Sequence, residues 1–311
     1  MNPKYRIADW LVHGGHQYEF FKTGHKFFCS SPKGAAPDPN SLGRPRNRNV
    51  IYMDQSILNR KIVDIIMVRS VVDKKYYSSL RSRMPKNMPP GIAVIQTPNP
   101  FKVPRWVRCI VWNSEYSMKE FKHHFPAQKH FYIPHGFNPN EFKYLNLNRK
   151  KQMLAAISVF KKRGKDLGFG NWKWTSDKLG GSALLGHGNE DLKENIGSFP
   201  LEGLVKEFNS YSVFLNPTIK SAMPRTRAEA MMCGTPLVST SNYGITKYLK
   251  HNQNCMIANT KEDMYKCCKM IIDSPSLQND LGLAAMETAK KYFHINKYLA
   301  RWEEVFREAM K

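Results

Sequence analysis

The 311-residue sequence concentrates its chemistry in one stretch, Asn216 to Thr240, NPTIKSAMPRTRAEAMMCGTPLVST. A strand is predicted just before it, at 212–215; Pro224 suits the first turn of a helix, Gly234 suits its end, and a second strand is expected at 235–239. The helix N-terminus then opens at the carboxyl end of a strand. Unpaired amides near Arg225, Thr226 and Arg227, the positive end of the helix dipole and the two arginines together make an anion site suited to a diphosphate. Glu229, one turn further in, either accepts hydrogen bonds from vicinal hydroxyls such as those of a ribose or merely faces the dipole.

Other candidates carry less weight alone. His13 and His16 flank Gly14 and Gly15, and His16 either orients an acceptor hydroxyl or is a packed structural histidine. His123, His124 and His135 read as surface or hinge residues. Gly186 and Gly188 form a short glycine pattern with little meaning by itself. Trp172 and Trp174 alternate, as in a strand or turn that packs one ring inward. The six cysteines show no CxxC spacing and the chain has no DxD motif, so neither a disulfide framework nor a zinc cluster is expected, and a basic diphosphate site works with no metal and no other cofactor.

The elements that must position these residues alternate between short β-branched runs and helical patterns, the rhythm of βαβ units around a mainly parallel sheet. Strands are predicted at 50–53, 62–68, 93–96, 107–112 and 131–133. After a polar stretch at 138–151 a second series follows, with strands at 153–159, 182–185, 212–215, 235–239 and 254–257. Helices are predicted at 201–210, 225–233, 261–272 and 276–292, and an amphipathic helix at 297–310 must dock on the body. This divides the chain into a first domain at 1–145, a second at 146–290 and a closing helix at 291–311.

With 41% hydrophobic and 23% charged residues the composition is globular and excludes intrinsic disorder. Lys and Arg number 48 against 25 Asp and Glu, a formal net charge of +23, and residues 1–150 alone carry +16 of it. Such a field gathers polyanions, and a small neutral ligand does not need it. No apolar run approaches the ~20 residues of a spanning helix, and the N-terminus has no secretory pattern, so a cytoplasmic protein is expected.

Taken together, these segments resemble the GT-B glycosyltransferases, specifically the retaining group typified by glycosyltransferase family 4. HGGHQYEF (13–20) resembles the glycine-rich first βα loop, and VWNSEYSMKEF (111–121) the end of the first domain. IPHGFNPNEF (133–142) resembles the exit segment, SVFKKRGKD (158–166) the basic phosphate-binding turn, LLGHGNE (184–190) a Gly-x-Gly strand end, and RAEAMMCGTPLVST (227–240) the family signature. The resemblance implies an α/β chain of two Rossmann-like, doubly wound domains facing a central cleft, with the last helix returning to the first domain. It implies ribose binding for Glu229, diphosphate contacts for Arg163 and Lys165, and close backbone approach at Gly14 and Gly15. Lys161, Gly186, Ser221, Met223, Pro224, Arg225 and Thr226 complete the expected donor site, and His16, Arg163, Lys165 and Glu229 the catalytic set. Ser221 stands where the family usually has the first of two glutamates, so Lys220 or the amides of residues 221–223 are left to substitute.

The expected reaction moves a hexose from a nucleotide sugar, UDP-glucose ahead of GDP-mannose, with retention. Arg44, Arg46, Arg48, Lys74, Lys75, Arg81 and Arg83, interleaved with tyrosines, point to a polyanionic acceptor, with hydroxymethylated bases in DNA favoured over an anionic lipid or polysaccharide at a membrane face. A non-enzymatic binding module retaining the fold is a further alternative. A monomer or weak dimer is expected.

Overall fold

The computed structural model describes residues 4–31, 36–38, 43–69, 82 and 88–311. Lys74, Lys75, Arg81 and Arg83 lie outside the described residues.

The chain divides into two units, residues 1–136 with 296–311, and residues 137–295. Each is built on a parallel sheet. In the first unit the strands are β1 (Arg6–Trp10), β2 (Lys26–Ser30), β3 (Val50–Tyr52), β4 (Ile65–Val68), β5 (Gly91–Ile95), β6 (Val107–Trp112) and β7 (Lys129–Tyr132), in the order β3-β2-β1-β4-β5-β6-β7. Helices α1 (Gly14–Phe21), α2 (Gln55–Leu58) and α3 (Glu115–Phe121) follow β1, β3 and β6. The interior strand β4 is IIMV, buried throughout, as expected of a strand covered on both faces.

The second unit holds β8 (Lys150–Ala156), α4 (Gly164–Leu167), α5 (Phe169–Lys178), β9 (Ser182–Leu185), β10 (Asn195–Gly197), α6 (Leu201–Asn209), β11 (Tyr211–Asn216), α7 (Arg225–Met232), β12 (Leu237–Ser239), β13 (Met256–Ile257), α8 (Lys261–Asp273) and α9 (Pro275–Phe293). Its strand order is β10-β9-β8-β11-β12-β13, again all parallel. Each sheet reverses its strand order beside its first strand, at β1/β4 and at β8/β11. In open parallel sheets, ligands bind at the carboxyl ends beside such a reversal.

Three differences from the sequence reading have physical causes. Strands β1 and β2 were not predicted: β1 (RIADW) carries a carboxylate at its buried fourth position, and Asp9 is tolerated there because Arg69 grips that carboxylate, Nε to Oδ1 2.6 Å and Nη2 to Oδ2 2.8 Å. Trp172 and Trp174 lie on a helix, α5, and not on a strand. Two residues apart on a helix are about 200° apart, so Trp172 is fully buried while Trp174 meets Tyr265 and Lys261. The polar stretch 138–151 lies wholly within the second unit, so that the first unit ends at 136 and not at 145 and resumes at 296, because Phe137 and Phe142 are buried and Phe137 donates its N–H to the Phe293 carbonyl of the second unit. Among the described residues no helix is long and apolar enough to cross a membrane.

The last helix, α10 (Ile295–Met310), packs on the first unit. Trp302 is fully buried, its ring centroid 4.5 Å from that of Phe20, and Arg108 donates from Nη1 to the Ala309 carbonyl at 2.9 Å. His25, buried beneath this helix, accepts the Tyr5 N–H at Nδ1 (3.2 Å) and presents Nε2 to Glu303 Oε1 at 3.0 Å. With Nδ1 accepting, the neutral ring carries its proton on Nε2, and burial pushes the pKa below the ordinary histidine value despite Glu303.

Two predictions follow from this docking. Trp302→Ala should cost the first unit about 3–5 kcal/mol, read as a shift of its urea transition relative to that of the second unit. Because the folded His25 binds a proton less readily than the unfolded one, its contribution is complete above about pH 6.5 and is lost as pH falls from there; His25→Gln should flatten the pH dependence of the first unit's stability in that window.

Candidate functional site

Pro224 caps α7 from the position just before it, and Arg225 is the helix's first residue. The strand β11, the loop 217–224 and α7 thus stand as expected, with Gly234 at φ 69° ending the helix. The loop is held at its amide side by the second unit's basic turn: the N–H groups of Ile219 (3.0 Å) and Lys220 (2.7 Å) both donate to the Asp166 carbonyl on α4. Those two amides are therefore unavailable to a ligand. Among the described residues the N–H groups of Ser221 and Ala222 have no partner.

Beside the loop, α4 and α5 meet at Gly168. Its φ of 75° is open to glycine, and a Cβ there would sit 2.1 Å from the Pro217 carbonyl oxygen, so no other residue permits the approach. The result is a cavity of about 390 Å³ lined by Gly164, Lys165, Gly168, Phe169, Gly170, Asn171 and Ile219. Three glycines, the start of the ten-residue α5 and one lysine make a surface that a phosphate can approach closely.

The carboxylate of Glu229 is buried and accepts from Arg225 Nη2 at 2.9 Å. The Arg225 guanidinium lies 4.7 Å from the Phe137 ring centre, and its Nη1 is buried with no hydrogen-bond partner. Thr226 donates from its hydroxyl to the Ala156 carbonyl at the end of β8. Arg227 points elsewhere: it is 3% exposed and donates from Nη1 to Ser239 Oγ (3.1 Å) and Asn242 Oδ1 (3.3 Å), with no carboxylate in ion-pair range among the described residues. Burial without a counter-ion pushes its pKa down to about 9. The two arginines of the motif therefore part company, Arg225 toward Glu229 and Arg227 into the protein.

The basic turn and the β9 exit interlock. Asn189, fully buried, accepts the Phe160 N–H at 2.8 Å and donates to the carbonyls of Ile157 (2.8 Å) and Gly186 (3.1 Å). Gly186, at φ 130°, would place a Cβ 2.7 Å from the Ile157 carbonyl oxygen. Val159, β-branched, sits at φ 52° with its N–H on the His187 carbonyl, a strained conformation. Arg163 caps α4 through its backbone, and Lys161 pairs with Asp191 at 2.7 Å in the open. Met223 and Ser221 lie in the loop. Sequence reasoning missed Asn189 and Asn242; an asparagine a few residues past a strand end is the signal both share.

In the first unit Gly14 and Gly15 open α1, capped by His13, whose Nδ1 accepts the His16 N–H. His16 is buried, with Nε2 3.4 Å from the Tyr298 hydroxyl and its ring 5.3 Å from that of His135, which in turn lies 3.5 Å from Asn113 Nδ2. Gln17 accepts the N–H groups of Val12 and His13 and donates to Asp9, tying the first loop to the Asp9–Arg69 pair. His123 and His124 are exposed, as expected for surface residues. Arg46 and Arg48 are exposed just before β3, and Arg44 donates to the Gly43 carbonyl. Among the described residues no cluster of three or more metal-ligating side chains occurs.

The profile of the glycosyl transferase-like family matches residues 149–304. No curated protein sequence matches the chain. Among solved structures, sucrose-phosphate synthase from Thermosynechococcus elongatus aligns at TM-score 0.72 and 12% identity, over 98% of this chain and 99% of that one. A glycosyltransferase from Rickettsia africae aligns at 0.72 and 15% over the whole of both chains. HepE of Anabaena, solved with UDP, aligns at 0.73 and 11% over 98% of this chain and all of that one. The profile covers half of the sequence, including the β11–α7 signature, and the two parallel sheets match the GT-B structures along the chain: the protein belongs to the glycosyl transferase-like family and is a glycosyltransferase of the GT-B fold.

Proposed function

We propose that the protein transfers a hexose from UDP-glucose, with retention, to a polyanionic acceptor, hydroxymethylated bases in DNA foremost. The observation that carries the donor half is the glycine-lined cavity, where Lys165 borders the loop leading into α7 and its Arg225–Glu229 pair. On this reading Lys165 and Arg163, with Lys161 released from its exposed pair, meet the diphosphate. The amides of Ser221 and Ala222 and the first turn of α7, with Met223, Pro224 and Thr226 shaping it, receive the phosphate-sugar link, and Glu229, oriented by Arg225, takes the ribose hydroxyls. HepE of Anabaena, similar in fold, was solved with UDP-glucose, which supports the choice of donor.

As the bond between the sugar's anomeric carbon and the phosphate oxygen breaks, negative charge grows on the leaving UDP, where the cations and amides stabilise it. The acceptor oxygen bonds to the same carbon on the same face, and its proton passes to the leaving phosphate, so no protein nucleophile and no metal enter. His16 belongs to the acceptor side, together with the basic residues before β3, and Gly14 and Gly15, which open α1 beside it, allow close backbone approach of the donor.

A second acceptor reading rests on the exposed apolar side chains Ile51, Ile57 and Ile62, the last 64% exposed, interspersed with Arg46, Arg48, Arg60 and Lys61. Cations with apolar neighbours suit an anionic lipid surface as well as a nucleic acid.

UDP should raise the melting temperature more than GDP or ADP. Glu229→Ala strands the buried Arg225 guanidinium, so Glu229→Gln, which keeps an acceptor for Arg225, is the cleaner variant. It and the Arg163/Lys165 double alanine variant should each lose about a hundredfold in donor turnover while folding normally; wild-type turnover in the double variant would mean that the diphosphate lies elsewhere. Radiolabelled glucose should appear on duplex DNA containing hydroxymethylcytosine or hydroxymethyluracil and not on unmodified DNA. Label confined to an anionic lipid extract would replace the DNA acceptor with the lipid.

A further inference from the structure

The loop 217–224 is pinned from two sides. Its amides at Ile219 and Lys220 meet the Asp166 carbonyl. Its carbonyls face the segment after β12: Asn242 Nδ2 donates to the Thr218 carbonyl at 2.6 Å and to that of Ile219 at 3.4 Å, and the Thr240 hydroxyl also donates to the Thr218 carbonyl. Behind Asn242 stands Arg227, donating to Oδ1 at 3.3 Å and to Ser239 Oγ at 3.1 Å.

This chain of contacts has one solution. A guanidinium only donates and a backbone carbonyl only accepts. The Asn242 amide between them must therefore turn its oxygen to Arg227 and its nitrogen to Thr218 and Ile219. The two carbonyls and Arg227 favour the same orientation, since the reversed rotamer would set oxygen against oxygen on one side and nitrogen against nitrogen on the other; without Arg227 the amide keeps only the carbonyl side and loses the contact that anchors its oxygen. A buried guanidinium with no carboxylate is costly, and an apolar side chain of the same length would fill the space beneath α7 at less cost. What the apolar side chain cannot do is aim Asn242.

We propose that Arg227 and Asn242 are positioning residues for the donor nucleotide: Arg227 orients the Asn242 amide, and Asn242 holds the Thr218 and Ile219 carbonyls, and with them the loop that borders the cavity. Neither residue touches the ligand. The proposal rests on the nucleotide-sugar reading given above, since Ile219 lines the cavity beside Lys165 and the partnerless amides of Ser221 and Ala222 follow directly along the same loop.

The test uses the full chain and five proteins: wild type, Arg227→Met, Arg227→Lys, Asn242→Asp and the double variant Arg227→Met with Asn242→Asp. Asn242→Asp is the discriminating change. It gives Arg227 a carboxylate partner, so a purely structural role for Arg227 predicts a higher melting temperature and unchanged UDP affinity. Positioning predicts the opposite for the ligand, because a carboxylate cannot donate to the two carbonyls. UDP binding by calorimetry should weaken by about three- to tenfold in Arg227→Met and at least as much in Asn242→Asp. Arg227→Lys, which still donates to Oδ1, should recover most of the loss. If Arg227 acts through Asn242, the double variant should be no weaker than Asn242→Asp alone. With UDP-glucose as varied substrate, KM should rise while kcat holds.

Hydrogen exchange gives a readout that needs no ligand: the peptide carrying Ile219 and Lys220 should exchange at least about tenfold faster in Arg227→Met and Asn242→Asp, with peptides of β8 and β9 unchanged. Wild-type UDP affinity in Asn242→Asp, or unaltered exchange in the loop, would overturn the proposal. A wild-type protein that binds no UDP, GDP or ADP would instead refute the nucleotide reading, and the exchange measurement would still decide whether Arg227 and Asn242 hold the loop.

Discussion

Parallel strands that stop at their carboxyl ends leave backbone donors and acceptors with no ladder partner, and pairing those groups away from water is the constraint on which the rest of this structure depends. The protein meets it with side-chain amides, of which Gln17, Asn189 and Asn209 are buried and Asn242 is half-buried. Gln17 takes the N–H groups of Val12 and His13 after β1. Asn189 joins the exits of β8 and β9, Asn242 holds the carbonyls after β11, and Asn209 spans the Leu145 N–H and the Lys143 carbonyl ahead of β8. An amide offers a donor and an acceptor on one short, planar group, so a single residue can lock two loop segments at once. The loops that follow these strands are consequently each tied down by a single side chain.

That arrangement explains what was legible in the sequence and what was not. Glycine, proline and the β-branched runs mark the strand–loop–helix unit at 212–240, because local backbone preference alone decides it. The βαβ rhythm around parallel sheets is legible for the same reason, whereas the doubly wound strand order is implied by the family resemblance and rests on long-range pairing. The first strand is not legible: Asp9 in RIADW contradicts a buried strand until Arg69, sixty residues on, is brought beside it. Trp172 and Trp174 fit either period, and only the packing of α5 against α8 decides for the helix. Within the candidate site, residue types announce Glu229, Arg225 and Lys165, whereas the separate fate of Arg227 depends on Asn242, fifteen residues away and across a strand. Such pairings carry no local signal.

Energies sort the ion pairs of the two units. The pairs Arg69–Asp9 and Arg225–Glu229 are almost wholly buried, and breaking either by removing one partner would cost about 3–5 kcal/mol, because the remaining charge is left in a low dielectric. Lys161–Asp191, with both side chains more than half exposed, contributes about 0–1 kcal/mol and opens readily. The buried pairs act as framework, and the exposed lysines of the basic turn are the ones able to change partners. Strain falls in the same place: Val159 at φ 52° costs about 1–3 kcal/mol and persists because its N–H on the His187 carbonyl and the Asn189 clamp over-determine the turn.

Neutralisation differs along the chain in a way that bears on what the first unit meets. Both units carry ion pairs within a helix or at its end, Lys173, Lys269 and Lys290 in the second and Lys22, Lys119 and Lys311 in the first. In the first, Arg46, Arg48 and Arg60 are exposed and no described carboxylate lies within ion-pair range of them. Charges left unanswered at a surface raise the potential there and are screened over about 8–10 Å at ordinary salt. Folding gains nothing from that potential, since like charges repel in the compact state. Its physical consequence is a faster encounter with polyanions, governed by ionic strength, whereas the two arginines of the second unit's loop–helix signature are buried and held by hydrogen bonds, Arg225 to Glu229 and Arg227 to Ser239 and Asn242.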